Sequence, residues 1–414
     1  MDRIDRKLSN LTCIQCREEY PVQPFRYTCD CGGNLDYVFD YDYINSIWKK
    51  ENLDKTAMDS VWRYLPLLPV NESPENINIR VGATPLIEFP NIAKELHFNQ
   101  LYIKDDTRNP SGSLKDRASE IAIQHAKELG DNLLIAASTG NAAASLACLS
   151  AFHGVKALIL APDSAPIAKL TQILQYGAKL LPVNGIYDDA FDLSFELTKR
   201  YGWYSRNTGI NPVMSEGKKT IAFEIAEQLN WISPDQIYVP VGDGCIIGAV
   251  YKGFYDLLKL GWISKIPALV AVQSENSAAV VNALESGGEI IPVKSNTIAD
   301  SISVDLPRDG EKALAAVRHS NGFGILVSDE EILQAQLIMS SSTSIFCEPA
   351  SAAAYAGMLK AAKENRISNL DNIVVLATGT GLKDISSAAK NVQIPVSVSP
   401  NIESAEKSLK ELIH

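Results

Sequence analysis

Short apolar runs alternate along most of the chain with stretches in which apolar residues recur at every third or fourth position. The runs at 101–103, 133–137, 156–161, 178–183, 237–241, 269–273, 324–327 and 373–377 are too short for helices and read as buried strands. Between them the period turns helical. Ala118, Ile121, Ala122, Ala126 and Leu129 mark one helix, and 142–152, 166–176, 188–201 and 220–229 read as further helices. Gly154 ends the second of these, and Ser328 with Glu331 form a capping box for a later one. Residues 207–215 read as a polar loop. Strands alternating with helices predict an α/β fold with mostly parallel sheets and helices on both faces.

Three of the turns in this pattern carry chemistry. Asn109-Pro110-Ser111-Gly112-Ser113-Leu114-Lys115-Asp116-Arg117 breaks the first strand and opens a helix. Ser113 is a good N-cap there, and Asp116 stands where its carboxyl can reach back to the first amide. Lys115 then lies in the first helical turn, where free amides and the helix dipole disfavour a positive charge and lower its pKa. A neutral lysine amine can form a Schiff base. Ser138-Thr139-Gly140-Asn141 follows the strand at 133–137 and precedes a helix of small residues. Such a turn places hydroxyls and amides at the carboxyl edge of a parallel sheet, where they hold an anion such as a carboxylate. Gly242-Asp243-Gly244-Cys245-Ile246-Ile247-Gly248 follows the strand at 237–241 and suits a phosphate held by backbone N–H groups. Its spacing departs from the dinucleotide fingerprint, although Glu275 imitates a ribose-binding acid and leaves a nicotinamide site as an alternative.

Composition narrows the classes. A chain of 414 residues suggests two or three domains with a large core. Its 49 acidic and 38 basic residues give a net charge of −11, which argues against nucleic-acid binding. The opening residues Met1-Asp2-Arg3-Ile4 hold no apolar run, so no signal peptide is expected, and no stretch approaches the ~20 apolar residues of a membrane helix. A soluble, cytoplasmic protein with no membrane partner is the expectation. Cys13, Cys16, Cys29 and Cys31 form two close pairs in a turn-rich segment, set apart from the scattered Cys148, Cys245 and Cys347. Paired spacing about a hairpin suits a structural zinc ion held by four thiolates, and a cytoplasmic location disfavours disulfides as the alternative.

The Schiff-base lysine, the Ser-Thr-Gly-Asn turn and the downstream glycine loop, in that order, resemble the pyridoxal-phosphate enzymes of the tryptophan synthase β-subunit type (fold type II), and among them the threonine synthases. Further matching stretches include Trp62-Arg63-Tyr64, Gly82-Ala83-Thr84-Pro85-Leu86, Asn211-Pro212, Glu216-Gly217, Glu348-Pro349-Ala350-Ser351 and Thr378-Gly379-Thr380-Gly381. The resemblance implies two α/β domains with the cofactor between them: a large domain at 41–99 and 206–414 and a small inserted one at 100–205, after a zinc-ribbon-like module at 1–40. It implies that Lys115 forms the Schiff base and moves the Cα proton. Asn141 faces the cofactor's phenolic oxygen and Thr378 its pyridine nitrogen. Gly242, Asp243, Gly244, Cys245 and Ile246 surround its phosphate. Ser138, Thr139 and Asn141 meet the substrate. A homodimer is also implied. The reaction would convert O-phospho-L-homoserine to L-threonine and phosphate. Serine or threonine ammonia-lyases and β-replacement enzymes, for example on O-phosphoserine, share these motifs and stand as alternatives, and a non-catalytic reuse of the sheet is a remote one. The chain departs from the family in places. Met214 stands where an arginine is usual, Asp243 and Ile246 replace asparagines, and Thr380 replaces a histidine. A phosphorylated substrate then requires a cation from elsewhere, for which Arg308 and Lys219 are the candidates.

Overall fold

The computed structural model describes residues 4–55, 58–75, 77–393, 395 and 397–413. Near the N-terminus β1 (Leu8–Cys13), β2 (Glu19–Tyr20) and β3 (Leu35–Phe39) form a small antiparallel sheet in the order β2-β1-β3. Alternation along β3 turns Leu35, Tyr37 and Phe39 inward, onto the main core. The cysteine-rich segment therefore has a sheet of its own, separate from the parallel ones.

The remaining strands are β4 (Leu86–Glu88), β5 (Gln100–Asp105), β6 (Leu133–Ala137), β7 (Lys156–Pro162), β8 (Lys179–Val183), β9 (Tyr204–Ser205), β10 (Gln236–Pro240), β11 (Ala268–Ser274), β12 (Phe323–Val327) and β13 (Asn372–Ala377). They form a six-stranded sheet in the order β12-β11-β10-β13-β5-β4 and a four-stranded sheet in the order β8-β7-β6-β9. Every pairing is parallel except β4 with β5. Helices cover both faces, which is why a central strand such as β10 is buried at every position. The expected α/β architecture is present, with strand ends within about two residues of those read from the sequence. One boundary moves: β5, assigned above to the inserted domain, pairs with β13 and β4 in the six-stranded sheet.

Two local expectations fail for identifiable reasons. Residues 207–215 are not wholly loop. The Asn211 side chain accepts the Val213 N–H at 3.0 Å and starts the helix Val213–Lys218 inside that span. Ser113 does not cap the helix Lys115–Glu128. Leu114 stands at that position, and the Asp116 carboxylate instead accepts the Ser111 N–H and hydroxyl at 2.6 and 2.5 Å. The aspartate tightens the turn before the helix rather than its first amides.

Candidate active site

The carboxyl ends of β6, β10 and β13 converge on one cleft of about 740 Å³. A parallel sheet offers its loops there, and each strand delivers one of the turns singled out by sequence. Lys115 is the first residue of its helix, and its turn is stitched to the end of β13. Leu114 N–H donates to the Thr378 carbonyl at 2.9 Å, and Thr380 N–H donates to the Gly112 carbonyl at 2.9 Å. Gly112 has φ 79°, and a Cβ there would lie 2.7 Å from Thr380, so glycine permits the close approach. Asn141 opens the helix Asn141–His153 after the hydroxyl-bearing turn, and Cys245 opens the helix Cys245–Lys259 after the glycine loop. Gly244 sits at φ +89°.

Lys115, Ser138, Thr139, Asn141, Gly242, Asp243, Gly244, Cys245, Ile246, Arg308 and Thr378 all line this cleft. Lys219 does not. It is fully buried between Glu216 and Asp256, at 2.5 Å from each, with its amine above the Phe39 ring. A lysine already neutralised by two carboxylates has no charge to spare for a substrate. Arg308 reaches the cleft but shares its guanidinium with Asp188 at 2.5 Å and stacks on Phe191. Glu275 lies outside the cleft, half exposed, so nothing here imitates a ribose site.

Other lining residues were missed by sequence reading. Arg206, Asn207 and Thr208 follow β9, and Glu348 precedes the helix Pro349–Lys363. Asn207 and Thr208 fall within the stretch 207–215 expected to be a polar loop, and Arg206 stands just before it at the end of β9, a strand too short to show as an apolar run. The Glu348 carboxylate accepts from the Asn141 amide at 2.8 and 3.0 Å and from the Ser301 hydroxyl at 3.4 Å. Thr378 pairs its hydroxyl with Ser351 Oγ at 3.0 Å, and Ser351 in turn accepts the Thr378 and Gly379 N–H groups. That ladder fixes the threonine hydroxyl where a ligand would meet it.

Burial governs the electrostatics. It pulls the Lys115 amine below its ordinary range, with Glu348 beside it opposing the shift. The sequence expectation of a lowered pKa thus agrees in direction, and the largest cause is desolvation. Burial raises the carboxyls of Asp243 and Glu348 and pushes the Cys245 thiol far up, which disfavours its thiolate. Met214 is buried in the hydrophobic core and offers the cleft no donor.

A phosphate-bearing cofactor with a reactive aldehyde fits these residues. An amine with a lowered pKa stands across from a glycine loop at a helix N-terminus, whose backbone N–H groups suit a phosphate. A cleft so built, on parallel strands in two sheets, defines the class of protein. The chain belongs to the family of pyridoxal-phosphate dependent enzymes, whose model matches residues 77–379. Within that family it is threonine-synthase-like over nearly its whole length. It is 40% identical over 403 residues to the threonine synthase of Methanocaldococcus jannaschii, covering 97% of this chain and 99% of that one. It is 38% identical to the threonine synthase of Methanosarcina acetivorans, over 97% and 98% of the two chains. Among solved structures it is similar to the L-serine ammonia-lyase of Rhizomucor miehei, with TM-score 0.65, 25% identity and coverage of 75% and 97%. It shares its fold with threonine deaminase isoform 2 of Solanum lycopersicum, with TM-score 0.63, 24% identity and coverage of 74% and 82%.

Proposed function

We propose that this chain is a carbon–oxygen lyase that converts O-phospho-L-homoserine to L-threonine and inorganic phosphate, with pyridoxal 5′-phosphate in the cleft. The main support is that one cavity gathers the lysine, the hydroxyl turn, the glycine loop and Thr378 in a chain threonine-synthase-like along 97% of its length. The cofactor, when bound, withdraws electrons from the substrate's Cα and makes its C–H acidic. Lys115 would hold the cofactor covalently and then carry the proton at Cα. The N–H groups of Gly242, Gly244, Cys245 and Ile246 would hold its phosphate. Thr378 would offer the ring nitrogen a neutral hydrogen bond, which supports a weaker electron sink than a carboxylate partner would, so proton transfer through Lys115 would matter more. The Ser138 and Thr139 hydroxyls would hold the substrate carboxylate, and Asn141, steadied by Glu348, would orient the ring.

A second reading is favoured by Met214 and Arg206. The usual phosphate-binding arginine is absent, and Arg206 instead lies against Lys115, its guanidinium 3.4 Å from that residue's carbonyl oxygen. A cation this near the reacting lysine suits a phosphate one carbon closer to Cα, as in O-phosphoserine, and hence β-replacement. A panel of O-phosphohomoserine, O-phosphoserine, serine and threonine, assayed for phosphate, ammonia and amino-acid products, separates the readings. The panel decides for the first if threonine and phosphate form from O-phosphohomoserine alone. The cofactor assignment is checked separately. Visible absorbance should be removed by borohydride, and mass spectrometry should find the reduced adduct on Lys115. An adduct on another lysine would refute that role.

The molecule around the cleft is read in the same way. The four-stranded sheet with its helices would form a small domain inserted after β5 into the larger one. The N-terminal sheet would be a zinc ribbon. The Sγ atoms of Cys13, Cys16, Cys29 and Cys31 lie within 4.8 Å of one another, with closest pairs at 3.5 and 3.6 Å. Thiolates around zinc with ~2.3 Å bonds stand about 3.8 Å apart at tetrahedral angles. Gly33 leaves room beside them, since a Cβ there would lie 2.8 Å from Cys13 Sγ. Four thiolates leave no open position, so the metal's role would be structural. Assembly as a homodimer, measurable by light scattering, completes the reading. No helix among the described residues is long and apolar enough to cross a membrane.

A further inference from the structure

The most deeply buried basic side chains are Lys104, Arg117, Arg206, Lys218 and Lys219. Three of them are neutralised in place. Lys104 pairs with Glu224, Arg117 with Asp106 and Glu224, and Lys219 with Glu216 and Asp256. Arg206 and Lys218 are the exceptions. The Arg206 guanidinium donates only to neutral oxygens, those of Ser119, Thr208 and the Lys115 carbonyl. The Lys218 amine is sealed from solvent and has no hydrogen-bond partner among the described residues. Cys245, Lys115, Arg206, Asp309 and Asp243 act on it electrostatically, so it sits behind the wall of the cleft beside Arg206, without lining the cleft itself. Burial lowers the Arg206 guanidinium to about 10 and the Lys218 amine to about 8, both strained toward losing their charge. An unpaired buried cation is costly, and a fold that places two of them together leaves a gap of opposite charge for a ligand to fill.

We propose that Arg206 and Lys218, with the Thr208 hydroxyl, form an oxyanion site that receives the phosphate leaving group of the substrate. The inference rests on the reading that the substrate is a phosphorylated amino acid. Breaking its carbon–oxygen bond sends the electron pair to the phosphate oxygen, while the proton lost from carbon passes to the Lys115 amine. Negative charge therefore grows on the phosphate as it leaves, and fixed cations in a dry pocket stabilise that growth best. Arg206 is the better placed of the two to start this, because it touches the backbone of Lys115 itself. The pair also supplies the positive charge that Met214 lacks and that Lys219, spent on its own carboxylates, cannot give.

The same chemistry could serve the cofactor's phosphate, because Lys218 lies near Cys245 in the glycine loop, so the test separates the two sources. Inorganic phosphate is titrated calorimetrically into the holoenzyme, and pyridoxal phosphate is titrated into the apoenzyme. Both are done for the wild type, Arg206→Gln, Lys218→Met and Lys218→Arg, with melting temperature as the check on folding. The expected result is that Arg206→Gln and Lys218→Met weaken inorganic phosphate binding by about thirtyfold or more. Cofactor affinity should be unchanged, and Lys218→Arg should restore most of the loss. Weakened cofactor binding with intact phosphate binding would overturn the proposal and give the cations to the cofactor. A wild-type holoenzyme that turns over a phosphorylated amino acid yet binds no inorganic phosphate would overturn it too. Phosphate binding through these residues in an enzyme active only on serine or threonine would keep the oxyanion site and refute the phosphorylated-substrate reading instead.

Discussion

Asp243 places a carboxyl in the wall of the cleft, in the loop expected to meet phosphate, where the family commonly has an amide. Its Oδ1 accepts the Arg308 N–H at 3.2 Å, a bond that an asparagine oxygen would keep. Asp243→Asn should therefore preserve the loop and remove repulsion toward phosphate. Like-charge repulsion at this range, worth about 1 kcal/mol, corresponds to a KM for phosphorylated substrates about fivefold lower, with serine and threonine unaffected. Initial-rate measurements on both substrate kinds decide it, and an unchanged ratio means that the carboxyl is already neutral or turned away. Arg308 leads to the opposite expectation from the one drawn from sequence. Its charge is taken up by Asp188, so Arg308→Ala should change the KM for a phosphorylated substrate much less than Arg206→Gln does. Lys115→Ala should abolish turnover and borohydride-sensitive absorbance while leaving the melting temperature near that of the wild type, since a first-turn lysine adds little to a core.

The helices behind the cleft are held by close contact and by one buried charge cluster. Gly217, in the helix Val213–Lys218, faces the helix Lys115–Glu128, and a Cβ on it would lie 2.3 Å from the Arg117 carbonyl and 2.7 Å from Ala118 Cα. Backbone cannot yield as a side chain tip can, so Gly217→Ala should cost about 1–3 kcal/mol, read from denaturant unfolding. Directly beneath, Glu224 accepts from Arg117 at 2.5 and 2.8 Å and from Lys104 at 2.6 Å. Burial by itself would raise the Glu224 carboxyl, yet Arg117 and Lys104 hold it at about 2. Burial keeps the Lys104 amine below its usual range, so Arg117 is the cation that secures the pair. An unfolded glutamate titrates near 4.3, so the folded group contributes roughly 3 kcal/mol that is present above that pH and is lost as pH falls toward 2. Glu224→Gln should flatten the acid limb of a stability-against-pH curve between these values, and an unchanged acid limb would show the cluster irrelevant to acid unfolding. Elements of this kind were legible in the chain to different degrees. Strands buried on both faces, such as β10 and β13, announce themselves as unbroken apolar runs. The lysine, hydroxyl and glycine turns were legible because each sits at the end of such a run. The partners of Arg117, Arg206 and Lys219 were not, because a basic residue looks the same in sequence whether its counter-charge is a neighbour about 100 residues away or a ligand.

At the scale of the molecule, the N-terminal sheet is tied directly to the wall of the cleft. The Asn34 amide donates to the Arg308 carbonyl at 2.7 Å and to the Asp309 carboxylate. Asp309 N–H in turn donates to the Asp243 carbonyl at 2.9 Å, and Lys312 pairs with Asp36 at 2.7 Å. Purified protein is expected to carry one zinc per chain by elemental analysis, and Cys16→Ser with Cys29→Ser should lose it and loosen residues 10–40 to proteolysis. A protein that keeps all four thiols reduced with no metal bound would contradict the zinc ribbon. The Asn34 bridge has a thermodynamic corollary. Two sites that share a wall trade free energy symmetrically, so whatever ligand occupancy does to the thiolate site, a metal bound there would do to the cleft by the same factor. Phosphate added to the holoenzyme should therefore shift the equilibrium affinity for zinc, measured by competition with a chelator, and Asn34→Ala should remove that shift while leaving each site able to fill by itself.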